Sequence, residues 1–110
     1  ATGARTASGQ YIYNSEKGVL VIKYKESDFY CGGPEVGNEV WFISPIMSTS
    51  MTWTEPDPQY EDEFEMTWTR DSGTSGNIIG TWSTGDSNTY VVTFNADASV
   101  TVTGNITECD

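Results

Sequence analysis

A chain of 110 residues is long enough for one domain, and with 16 acids against 5 basic residues it carries a formal charge of −11. That balance excludes nucleic acid and anionic membranes as partners, because their phosphates call for clustered lysine and arginine. The absence of histidine removes the commonest general base and the commonest metal-ligating side chain together.

The first eight residues, Ala1 to Ser8, read as a flexible segment or one that pairs with another chain. Gly9 to Tyr13 reads as a short strand, followed by the turn Asn14-Ser15-Glu16-Lys17-Gly18. Val19 to Lys25 alternates cleanly: Leu20, Ile22 and Tyr24 share one face, Lys23 and Lys25 the other. Asp28 to Cys31 extends it, and a Gly/Pro loop follows at 32–38. Glu39 to Ile43 has apolar residues on both faces, which predicts a central or covered strand. Pro45 marks an edge or a bend.

The clearest repeat is Met51-Thr52-Trp53-Thr54, which returns fifteen residues later as Met66-Thr67-Trp68-Thr69. Both copies alternate large apolar with small polar residues, the mark of a strand with one dry and one wet face. Ser48 to Thr54 and Phe64 to Arg70 form a predicted hairpin across the acidic, proline-bearing connection Glu55 to Glu63. After a Gly/Ser loop at 71–77, Ile78 to Ser83, Tyr90 to Phe94 and Val100 to Gly104 alternate again, separated by polar turns. No amphipathic helix is present. Roughly eight or nine strands spaced about ten residues apart predict an all-β antiparallel up-and-down barrel or a related sandwich, spanning residues 1–110 as one domain.

Ile79-Gly80-Thr81-Trp82, then Tyr90 to Asp97, then Val100 to Gly104, resembles the opening of lipocalin-like (calycin) barrels. In that family a Gly-x-Trp strand leads into an up-and-down hairpin. The resemblance implies that Trp82 plugs the closed end of a cup and that Gly80 lets its strand bend. Here the motif begins at residue 80 rather than near the start, which suggests a circularly permuted cup, one unit of a tandem repeat, or a chain whose first residues pair with a neighbouring subunit.

Cys31 and Cys109 are compatible with one disulfide, worth about 3–5 kcal/mol in the chain-entropy account, or with two free thiols. Asp57, Glu61, Asp62 and Glu63 offer hard oxygen ligands for Ca²⁺, but they lack the spacing and central glycine of a calcium loop and read better as a solvated hairpin tip. Trp53, Trp68 and Trp82 read as core. Trp41, Tyr30 and Tyr60 are candidate sugar or partner contacts, with Tyr60 the aromatic expected to face solvent. Lys23 and Lys25 would meet an acidic polysaccharide or partner, or pair with acids on their own sheet. Asn105-Ile106-Thr107 is a glycosylation sequon.

No catalytic or cofactor constellation emerges, so the expectation is a non-enzyme without cofactor. Its composition suits a secreted or cell-surface protein, with Ala1 an ordinary mature start after signal removal. The leading reading is a structural or assembly subunit, such as a filament or envelope component. The alternatives are a carbohydrate-binding module and a small apolar ligand held inside the cup. That last reading is limited by an interior expected to be filled by aromatic rings.

Overall fold

The computed structural model describes residues 3–29, 34–44, 49–57, 62–73, 77–85 and 89–106. Eight strands run through them: β1 Gly3–Asn14, β2 Val19–Ser27, β3 Gly37–Ile43, β4 Ser50–Asp57, β5 Asp62–Gly73, β6 Gly80–Gly85, β7 Thr89–Phe94 and β8 Ser99–Ile106. Each is antiparallel to its sequence neighbours, and β8 pairs with β1 to close an up-and-down barrel. The alternation read from the sequence therefore forms a closed barrel rather than a sandwich. Among the described residues there is no helix, and none long and apolar enough to cross a membrane.

The repeated motif pairs with itself. Met51 faces Trp68 and Trp53 faces Met66 across β4–β5, so each indole lies beside a thioether. Thr52 and Thr67 meet on the other side with their hydroxyls 3.4 Å apart. β4 continues through Pro56 and Asp57, opposite Glu63 and Asp62, so the break between the two strands is residues 58–61 rather than the whole acidic run. Pro56 sits near the end of its ladder, where a missing N–H removes least.

Two further differences from the sequence reading follow from closure. Gly3 to Ser8, expected to be loose or to pair with another subunit, form the first half of β1 and pair with β8 from Gly3↔Ile106 to Ser8↔Thr101. The free edge of β8 is the nearest template for an extended segment, and the chain's own start takes it. β3, expected to be central or covered, pairs with β2 and β4, and its outward Val40 and Phe42 are 46% and 47% exposed. Among the described residues no second layer covers them.

The inward residues form one cluster. Leu20, Ile22, Ile43, Met51, Val92, Phe94 and Val100 surround a line of rings in which Trp53 stands 5.4 Å from Trp41, 4.7 Å from Trp68 and 6.1 Å from Phe94. One end of the barrel is sealed. There Trp82 is fully buried and its Nε1 donates to the Ile78 carbonyl at 2.9 Å. The Arg70 guanidinium lies 4.0 Å from the centroid of the Trp82 ring and donates to the Asn77 carbonyl at 2.6 Å. Gly80, at φ +139°, begins β6 there; a Cβ on it would stand 2.2 Å from the Ser72 carbonyl oxygen, so no larger residue fits that bend. Trp82 is thus buried at the end of the barrel where Gly80 lets β6 bend.

Candidate functional site

The opposite end, where β2 ends, β3 begins, β4 ends and β5 begins, holds a cavity of about 360 Å³. The interior was expected to be full. It is not: Tyr24, Trp41, Trp53, Trp68, Tyr90 and Val102 surround open space at this end. An eight-stranded barrel is just wide enough for either packed side chains or one small ligand.

The walls are aromatic. Trp41, Trp53 and Trp68 form one side on adjacent strands β3, β4 and β5. Tyr24 from β2 and Tyr90 from β7 face the space from other strands. Tyr90 is set by Gly104, its ladder partner: a Cβ on Gly104 would stand 2.8 Å from the Tyr90 ring and 2.9 Å from that of Phe29. Those two rings lie 6.4 Å apart across the glycine.

Three of the four indole N–H groups have partners. Trp82 donates to Ile78, Trp41 donates to Glu39 Oε1 at 3.1 Å, and Trp53 donates to the Met51 sulfur at 3.4 Å. Trp68, only 2% exposed, has a buried Nε1 with no hydrogen-bond partner among the described residues. Leaving such a donor unmet costs the fold about 1–3 kcal/mol.

Two carboxylates complete the lining. Glu39 points inward from β3 and is half-buried; Glu55, on β4, is exposed. Burial pushes the Glu39 carboxyl above the ordinary glutamate range; the hydrogen bond from Trp41 pulls it partly back, and the Glu55 charge pushes it up again. The Tyr24 hydroxyl is pushed far up by burial and by the Glu39 charge. No lysine or arginine lines the cavity among the described residues.

Of the residues singled out from sequence, Trp41 is buried and forms part of this wall. Lys23 and Lys25 lie exposed on the outer face of β2. Gly80 and Trp82 belong to the sealed end. Asp57 closes β4, and Asp62 and Glu63 open β5. Glu61, Tyr30, Tyr60, Cys31 and Cys109 lie outside the described residues, as does Thr107 of the sequon. No group of three or more acids or thiols placed to hold a metal ion occurs among the described residues. Sequence reasoning missed Glu39, Glu55, Tyr24, Tyr90 and Gly104. The signal available for Glu39 was its inward parity with Trp41 and Ile43, an acid on the dry face of a strand. Compared with protein-family models, with curated proteins and with solved structures, the chain matches none of them.

Proposed function

We propose that the barrel is a cup that binds one small organic molecule between its aromatic walls. The observation that carries this is the cavity of about 360 Å³ lined by the rings of Tyr24, Trp41, Trp53, Trp68 and Tyr90. Ligand pockets span roughly 300–1,000 Å³, are mostly apolar and hold a few placed polar groups. A dry cavity of about 150 Å³ accepts benzene, so this one has room for a substituted ring. The setting is outside the cell or on its surface, a reading supported by the charge of −11 and the pair Cys31 and Cys109.

The test is a panel of neutral and charged single-ring and fused-ring fragments, followed by the ¹⁵N-resolved Trp68 indole resonance. At least one fragment shifts it saturably, and Val102→Phe, which fills the cavity, abolishes that shift. Absence of any saturable shift across the panel at millimolar concentration removes the reading.

A second reading, an assembly subunit, is favoured by one observation. Ile12, Val40 and Phe42 are exposed on the outer face and connect through Val21 and Val19, which pair with them across β1–β2–β3. Contact of this kind runs through a sheet face rather than through a strand edge. Phe42→Lys lowers the apparent mass in sedimentation if that strip holds copies or partners together, and leaves it unchanged if it does not.

A further inference from the structure

We propose that the occupant of the cup is a small organic cation, an amine or quaternary ammonium compound. This rests on the reading of the barrel as a ligand-binding cup and names the ligand class. Two features converge on it. The walls present three indole and two phenol rings, whose negative faces attract an organic cation most strongly when water is excluded. Glu39 and Glu55 add two carboxylates to the same lining, with no basic side chain among the described residues to offset them.

The lining suits other ligand classes poorly. A fatty acid or other anion would set a third negative charge beside Glu39 and Glu55. A sugar needs several donors and acceptors around its ring, and here the lining is mostly aromatic carbon, with two acids and two phenols as its ionisable side chains. A plain hydrocarbon satisfies the rings but leaves the carboxylates facing apolar carbon.

The titration behaviour of Glu39 gives the proposal a second handle. The groups that act on it are Trp41 on its own strand, Tyr24 from β2 and Glu55 from β4, with Tyr90 from β7 in the same lining. Its carboxyl is held above the ordinary glutamate range, so it takes up a proton earlier than a surface glutamate as pH falls. A cation in the cup opposes that protonation, and protonation opposes the cation.

The deciding experiment uses an isosteric pair, 3-hydroxyphenyltrimethylammonium and 3-tert-butylphenol, which differ at one atom and in one charge. Both are titrated against the intact chain by calorimetry and by the Trp68 indole resonance. At pH 7 and low salt the cation binds at least tenfold more tightly. That ratio falls several-fold in Glu39→Gln and as pH falls through the raised Glu39 value, the rings and Glu55 keeping the remainder. If the two bind equally, or the phenol binds better, the cup reading stands and the cation is ruled out. If neither moves the Trp68 resonance, the cup reading falls and the cation with it.

Discussion

Trp68 and Trp82 are equally hidden from water, yet they differ in what their nitrogens meet. Trp82 donates to Ile78 and lies under Arg70, whereas Trp68 donates to nothing among its neighbours. Replacing either by Phe removes the same donor and a similar volume. Trp82→Phe also strands the Ile78 carbonyl and loses the cation–π contact, while Trp68→Phe relieves an unmet donor. Urea denaturation is expected to separate the two variants by about 1–3 kcal/mol, with Trp68→Phe the more stable. Glu39 argues in the same direction. Its folded-state pKa lies above its unfolded value, so the contribution it makes is present below the unfolded value and is lost as pH rises through the folded one. The free protein therefore gains stability from Glu39→Gln at pH 7, by at most ~1 kcal/mol once solvent screening is counted, and the gain vanishes at mildly acid pH. Thermal melts of both proteins across pH 4–8 measure it. A residue that weakens the empty fold yet stands in the cavity lining is what a binding site under strain looks like.

At the scale of strands, the position of one side chain is often set by the absence of another. Gly104 on β8 leaves the space that Tyr90 of β7 and Phe29 occupy. Gly104→Ala forces those rings outward. It is expected to cost about 1–3 kcal/mol of stability and to weaken fragment binding several-fold, read by denaturation and by the Trp68 resonance. Period-two alternation made most of these strands legible: Leu20, Ile22 and Tyr24, the Met and Trp of both Met-Thr-Trp-Thr copies, and Tyr90, Val92 and Phe94 all face inward as their spacing predicts. What alternation does not carry is depth along the barrel axis. It places Glu39 and Trp41 on one face without telling which lies nearer the mouth, and it counts rings without showing that they crowd one wall. The extension of β1 back to Gly3 was also hidden, because Thr-Ala-Ser-Gly carries little hydrophobic signal and pairs only because β8 offers it an edge.

Taken whole, the barrel is a ring in which every strand is bonded to its sequence neighbours and the last to the first. Such a ring has no privileged starting strand. A permutant that joins the two ends by a short linker and opens between β5 and β6, so that Gly80-Thr81-Trp82 stands near its beginning, is expected to keep a β-type circular dichroism spectrum and cooperative unfolding. Loss of both shows that the existing order is required. The ladder partners Gly3 and Ile106 have one more consequence, because they meet at the same rim as Tyr90 and Glu55. A polypeptide continuing before Gly3 or beyond Ile106 departs from the β1–β8 ladder at that rim. If the cup holds a guest as proposed, a tether, a neighbouring module or a crowded surface attached there stands on its route, and entry and escape rates are expected to answer to what the barrel is joined to, even when its inner walls are untouched.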